Sequence, residues 1–261
     1  MTLNKYLIAK IDNKHEPSTF KEASKHECWM EAMKVEYEAL MKNKTLDLVP
    51  YPNEKNVISN KWIYKVKFNS IRDIEKYKAR LVAKGFAQKY SMDYEETFAP
   101  MAKMSIVRII LALSTAQRWK FFQLNIKSAF LNGELDVEIF MNQLEGFIMK
   151  GKESFVCKLK KSLYGLMQAP RAWYRKILGY FANIDFSKCF FDSNLYVLNQ
   201  GKDVVLILLY VGDLLITRNN DEIIQECISK LKATFEMIDL SLLHYYLGMQ
   251  VYQYKDCTYL S

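Results

Sequence analysis

Glycine and proline are scarce in this sequence, 9 and 5 of 261 residues, which excludes long flexible linkers and low-complexity tails as major components. The five cysteines, at positions 28, 157, 189, 227 and 257, are odd in number and about thirty or more residues apart. A disulfide framework needs an even, patterned set and a structural zinc site needs ligands paired a few residues apart, so neither is expected. The three histidines, 15, 26 and 244, offer no metal spacing either. No apolar signal-like core opens the chain, and the longest uncharged apolar run, Val204 to Gly212, falls far short of the ~20 residues a spanning helix needs. These absences lead to the expectation of an intracellular, soluble chain with free thiols and no membrane contact.

What is present is an ordinary globular composition, half hydrophobic and one quarter charged, long enough for one large domain or two subdomains. Acidic residues are in deficit, with a net charge of +8. The excess is local. Ten Lys or Arg face three acids between Glu54 and Lys89, and eight face one between Lys150 and Lys176. Both blocks are interleaved with Trp, Tyr and Phe, which suits a surface that tracks a phosphate backbone. A charge run taken alone is more often a solvated face.

Along the chain, Thr19 to Glu22 has capping-box spacing, and a helical stripe of Trp29, Met33, Tyr37 and Leu40 follows. Pro50 to Asn53 breaks the chain. Lys61 to Phe68 then alternates Lys61, Ile63, Lys65 and Lys67 against Trp62, Tyr64, Val66 and Phe68. A returning strand over Lys76 to Lys84 puts Lys78, Arg80 and Lys84 on one face and Ala79, Leu81 and Ala83 on the other, predicting a ribbon with one cationic face. Ser105 is the expected cap of a helix burying Ile106, Ile109, Ile110 and Leu113, followed by a strand over Phe121 to Ile126 and a turn through Ser128 to Gly133. A further hairpin is expected near Glu138 to Met141, and a helix from Pro170 through Trp173, Ile177 and Phe181. Strands around Leu195 and Leu206, a helix from about Asp221 to Phe235 and strands near Tyr246 to Tyr254 complete the pattern. This order predicts an α+β fold with a mostly antiparallel sheet.

The stretch Leu206 to Thr217, LILLYVGDLLIT, is the most telling. Two apolar runs flank Gly212-Asp213, the writing of a tight hairpin in which Gly212 is expected to supply the positive φ of a two-residue turn and Asp213 to take the next position. On shape alone this is a buried hairpin with a polar tip. It also resembles the tyrosine-x-Asp-Asp hairpin of reverse transcriptases in the form used by copia-type retrotransposons, with Tyr210, Val211 and Asp213 matching and Gly212 at the position of the first carboxylate. Other segments are similar to the same family in collinear order from about Glu16 to Leu260. Gln123 to Gly133 is similar to QLDVKSAFLNG, and Leu159 to Tyr174 departs from LKKSLYGLKQAPRAWY only at Met167. Asn60 to Phe86 is similar to NKWVFKVK…KYKARLVAKGF, and Glu95 to Pro100 to EETFSP.

The resemblance implies reverse-transcriptase fingers and palm, a mostly antiparallel palm sheet with packed helices, and two-metal nucleotidyl transfer. It divides the chain into an N-terminal helical extension (1–50) and a fingers/palm domain (51–261, palm mainly 101–132 and 166–254), with connection and ribonuclease H regions expected beyond. It implies Mg2+ as cofactor, an RNA template, a DNA primer and a dNTP as partners, and association with other retrotransposon proteins in the cytoplasm or a virus-like particle. Asp213 takes the role of second hairpin carboxylate, Phe130 that of steric gate beneath the sugar, Lys78 and Arg80 face the triphosphate, and Tyr164 and Gly165 floor the nucleotide pocket. The segment Phe235 to Leu240 through Leu247 and Gly248 resembles the primer grip.

Asn125 stands where the family has its first metal-binding Asp, and Gly212 where it has the first Asp of the hairpin. Of three carboxylates one remains, whereas magnesium demands oxygen ligands and is usually held by one or two carboxylates plus substrate phosphates. Glu134 and Asp136 are the acids nearest along the chain to Asn125, and reaching the missing positions would require the backbone to fold back. Milder departures are Asn142, Leu144, Leu242 and the tip Ser70 to Asp73, which replaces an Asp-Gly turn. The expectation is therefore a catalytically silent member that keeps the fold. The alternatives are a non-catalytic nucleic-acid-binding remnant and a non-functional transposon relic.

Overall fold

The computed structural model describes residues 15–69, 73–219, 221–254 and 257–261. The expected replacement turn at Ser70 to Asp73 falls mostly on residues 70–72, outside the described residues. The chain separates into two compact units. One runs to Thr97 and resumes over Phe130–Ala172; the other comprises Phe98–Ala129 and Trp173–Ser261.

In the first unit the capping box forms. The Thr19 hydroxyl accepts from Glu22 N at 3.2 Å, and the Glu22 carboxylate accepts from Ser18 N at 2.9 Å, one residue before the cap. The helix it starts is short, Phe20–Ala23, and the apolar stripe belongs to a second helix, Glu27–Lys42. That helix buries Trp29, Met33 and Leu40, with Tyr37 stacked on Phe147. It packs on the strand Ile74–Ala83 and shares one core with it. Strands Asn60–Phe68 and Ile74–Ala83 form the basic hairpin, with Trp62, Tyr64 and Val66 buried opposite Leu81, Ala79 and Tyr77. The other face carries lysines, so the period-2 reading holds. A four-stranded sheet completes the unit, in the order Leu46–Val49, Val156–Lys161, Glu134–Asn142, Val57–Ile58. The pair expected near Glu138 to Met141 is thus one long strand whose antiparallel partner is Val156–Lys161.

The second unit is built on a six-stranded sheet in which all neighbouring strands pair antiparallel, in the order Met237–Leu242, Phe121–Ile126, Asp213–Arg218, Asp203–Tyr210, Leu195–Gln200, Ser187–Lys188. Ile207, Leu208, Leu214 and Ile216 are each no more than 1% exposed. Burial of such a side chain contributes about 1.5–3 kcal/mol, so this hairpin is core whatever its tip does. The helix Ala169–Asn183 supplies the buried Trp173, Ile177 and Phe181, and Asp221–Thr234 supplies Ile224, Ile228 and Leu231.

One expectation about a helix fails. Met104–Ala116 is capped by Lys103, with no side-chain cap bond from Ser105, and its buried face is Val107, Ile110, Leu111 and Ser114. Ile109 and Leu113 are 59% and 43% exposed. The helix is apolar on two sides, so periodicity alone admits either face. The choice is made by contacts distant in sequence, including Thr217 Oγ1 donating to the buried Ser114 hydroxyl at 3.1 Å. Among the described residues no helix is long and apolar enough to cross a membrane.

Candidate functional site

The tip of the central hairpin differs from its expected form. Tyr210 pairs with Asp213, so the two turn residues are Val211 and Gly212 rather than Gly212 and Asp213. Val211 takes the positive φ, +55°, while Gly212 is not among the residues at positive φ. A β-branched residue there is an outlier that costs about 1–3 kcal/mol and must be held by its surroundings. The holding groups are visible: Trp173 Nε1 donates to Val211 O at 2.7 Å, and Ile126 N donates to Gly212 O at 2.8 Å. Gly212 is closely approached rather than held at positive φ. A Cβ there would lie 3.0 Å from Ile126 O and 3.3 Å from the Ala129 Cβ.

Asp213, first residue of the returning strand, sits directly across the sheet from Asn125. Asn125 Nδ2 donates to Asp213 Oδ1 at 2.6 Å, and both side chains are half-buried. The Tyr246 hydroxyl lies buried nearby without a hydrogen-bond partner, its ionisation suppressed by burial and then by the Asp213 charge. The residues present do not fit a pair of divalent ions. One carboxylate remains, an amide donor occupies one of its oxygens, and Gly212 adds no side chain. Among the described residues no group of three or more His, Cys, Asp or Glu is placed to hold a metal. Leu247 and Gly248, also in this unit, are the two residues of a tight turn between Tyr245–Tyr246 and Met249–Gln253, with φ of +49° and +87°. Both values positive mark a type I′ turn.

The five residues assigned to nucleotide contact fall in the first unit, and they assemble. Lys78 and Arg80 lie on one face of Ile74–Ala83, half-buried, opposite Lys65 and Ile63. The Arg80 guanidinium lies 4.8 Å from the centre of the Tyr164 ring, and Tyr164 meets Phe130 edge-on with centroids 4.9 Å apart. Gly165 clamps this group. Ala83 N donates to Tyr164 O at 2.8 Å, Gly165 has φ +89°, and a Cβ on it would lie 2.1 Å from Ala83 O. Gly85 is equally constrained, since its Cβ would lie 2.0 Å from Gly165 O. Only glycine allows the two backbones to approach this closely.

The cationic face is real but partly compensated. Lys65 pairs with Glu16 at 2.6 Å, and that carboxylate also accepts from Val66 N. Lys78 stands opposite Lys65, and Lys76 opposite Lys67. Like charges directly across a strand pair cost stability, which an anionic partner would offset. Burial lowers the Lys78 pKa below the usual lysine value, and the neighbouring Arg80 lowers it further. Burial raises that of Tyr164, with Arg80 opposing.

Two features escaped the sequence. Glu36, on the first unit's long helix, is 8% exposed, with one carboxylate oxygen unpartnered. Burial raises its pKa, opposed by the Leu81 N–H and by the charges of Lys78 and Arg80. Gln88 and Gln168 form a buried amide pair: Gln88 Nε2 donates to Gln168 Oε1 at 3.1 Å, Gln168 Nε2 to Asp93 O at 3.0 Å, and Gln88 Oε1 accepts from Met167 N at 2.9 Å. A glutamate amid a helical polar face and two isolated glutamines carry no periodic signal.

Comparison with known proteins agrees with the motif order. The family described as reverse transcriptase (RNA-dependent DNA polymerase) matches residues 43–261. The chain is 40% identical over 259 residues to the retrovirus-related Pol polyprotein from transposon RE1 of Arabidopsis thaliana, covering 98% of this chain and 18% of that protein. It is 40% identical over 245 residues to the corresponding polyprotein from transposon TNT 1-94 of Nicotiana tabacum, covering 92% of this chain and again 18% of the relative. It therefore spans less than a fifth of these relatives' length. Among solved structures it is similar to a foamy viral protease–reverse transcriptase in complex with double-stranded DNA, with TM-score 0.46 and 14% identity over 84% of this chain and 33% of that one. On the family match and the identity to these transposon proteins, the chain belongs to the reverse transcriptase (RNA-dependent DNA polymerase) family, in the form carried by the Pol polyproteins of copia-type retrotransposons.

Proposed function

We propose that this chain is a reverse transcriptase fingers-and-palm domain that no longer polymerises nucleotides. The observation that carries the reading is the Asn125–Asp213 hydrogen bond at 2.6 Å, which puts a neutral amide where nucleotidyl transfer needs a second charge. In-line phosphoryl transfer depends on two cations clamping the attacking and leaving oxygens. With Gly212 also lacking a side chain, two formal charges of compensation for those cations are gone. The fold is independent of that loss, because the hairpin strands are held by apolar burial.

The direct test is primer extension on an RNA template with Mg2+ and then with Mn2+. No extension is expected, and efficient extension by the unmodified chain would overturn the reading. Asn125→Asp combined with Gly212→Asp is expected to recover some extension, and either change alone none.

A specific observation favours retained binding as the second reading. Lys78, Arg80, Tyr164 and Phe130 still form a cation–aromatic group suited to phosphates and a base or sugar. Binding of a primer–template duplex should fall steeply with salt if several phosphates are contacted; undetectable or salt-independent binding would remove this reading. In the same reading Leu247 and Gly248 meet the primer end, and the chain associates with other parts of a Pol polyprotein.

A further inference from the structure

We infer that Glu36 is a positioning residue for the anion-contact group, holding Lys78 and Arg80 beside Tyr164, and that the helix Glu27–Lys42 is thereby part of that site rather than a separate extension. The inference rests on the reading of Lys78, Arg80, Tyr164 and Phe130 as a group that binds phosphates and a base or sugar, and it names the residue that keeps the group in order.

The geometry starts from the open edges of the basic hairpin. Lys84 N donates to Ser59 O, so Lys84 and, by alternation, Val82 turn their N–H groups toward the partner strand, while Leu81 and Ala83 turn theirs away. Ala83 N donates to Tyr164 O at 2.8 Å, and the Leu81 N–H donates to the Glu36 carboxylate. Glu36 and Tyr164 therefore meet the same strand edge two residues apart, on the strand that carries Lys78 and Arg80. The opposite edge has a similar device: Glu16 accepts from Val66 N at 3.0 Å and from Lys65 Nζ at 2.6 Å.

Capping a strand edge does not by itself require a buried charge. Glu36 is buried, its Oε1 has no hydrogen-bond partner, and burial raises its pKa, so its ionised form is costly. The compensation is electrostatic. The charged groups that act on Lys78 are Arg80, Glu36, Lys76 and Lys67, with Lys65 directly opposite, and Glu36 is the one anion among these. Burial and Arg80 lower the Lys78 pKa, whereas Glu36 raises it. Glu36 also acts on Tyr164, the ring on which the Arg80 guanidinium lies. Without this carboxylate Lys78 would stand among like charges, which repel across the strand pair and favour the neutral amine. A neutral Lys78 makes no ion pair with a phosphate.

The test reads Lys78 directly in the full chain, through its rate of acylation by an N-hydroxysuccinimide ester, because only the neutral amine reacts. The exposed Lys150 serves as internal reference. Glu36→Gln and Glu36→Leu are each expected to raise the Lys78 rate roughly 3-fold or more at pH 8, the excess vanishing at high pH, where the amine is neutral in every variant. Glu36→Asp keeps the charge and should stay closer to the unmodified protein than either neutral variant. Affinity for a primer–template duplex should fall roughly 2- to 5-fold further between pH 7 and about pH 9.5 in Glu36→Gln than in the unmodified chain. Equal Lys78 rates in the unmodified protein and the neutral variants overturn the inference. So does an excess that persists at high pH, which marks an opened structure rather than a lost charge. If neither neutral variant folds, Glu36 is a structural residue only and the inference falls. Absence of duplex binding by the unmodified chain would instead strike at the binding reading, and the Lys78 rates would still decide what Glu36 does.

Discussion

The two units of this chain have kept different things. In the first, every side chain assigned to nucleotide contact is present, and the local backbone is built to place them: the Lys78–Arg80 strand is joined edge to backbone with Tyr164 and Gly165. In the second, the hairpin is paired from Val205 to Arg218 through Tyr210 and Asp213, while of the three carboxylate positions that the family resemblance implies only Asp213 carries a charge. A fold is held by many apolar contacts, each worth a little, and tolerates the loss of a polar side chain at a tip. A two-metal site is held by a few charges, and on the proposed reading one carboxylate of three is too little to hold it. Binding surfaces lie between these extremes, because phosphate contacts add up singly.

The comparison can be broken most sharply at Gly165. Gly165→Ala puts a Cβ 2.1 Å from Ala83 O at φ +89°, and is expected to cost about 2–4 kcal/mol in chemical denaturation and to abolish polyanion binding. A silent substitution would show that the first unit's group is not held as described. Next in size, Lys78→Ala and Arg80→Ala should each weaken binding of a primer–template duplex roughly 3- to 10-fold at low salt and lower the salt slope by about 1. Retention of both affinity and slope would make the cationic face a solvated one.

A pH titration sharpens the same point. Burial and Arg80 lower the Lys78 pKa, so its charge, and with it part of the anion affinity, should be lost on the alkaline side at a lower pH than an ordinary lysine would give. In Lys78→Ala that step should vanish from the binding profile. The smallest effect is expected at Glu36. Its folded-state pKa is raised, chiefly by burial, so its contribution to stability is full below the unfolded value and is lost as pH rises through the folded value. Glu36→Gln should therefore raise the melting temperature slightly at pH 7, and the gain should shrink toward pH 4. A large loss at pH 7 would instead make the Leu81 N–H and the Lys78 and Arg80 charges the dominant partners of Glu36.

Much of this is legible in the sequence alone. The alternation in Lys61 to Lys84 assigned both faces of the basic hairpin, and the two apolar runs around Val211 and Gly212 announced the central hairpin. The turn inside it is not legible there, because glycine is the usual bearer of positive φ, whereas here Trp173 and Ile126 hold the tip with Val211 in that conformation and Gly212 is merely closely approached. The buried face of Met104–Ala116 is not legible for a related reason: both stripes are apolar, and partners far along the chain choose between them.

By itself the sequence determined the family, the α+β class, the cationic ribbon and the absence of carboxylates at 125 and 212, because these are carried by residue identity, order and short-range periodicity. Only the tertiary structure decided that Asn125 donates to Asp213, that Gly165 and Gly85 touch backbone, and that Glu36 is buried beneath a cationic strand. Those facts depend on which distant residues come within hydrogen-bond or van der Waals distance, and the folded chain alone sets those distances.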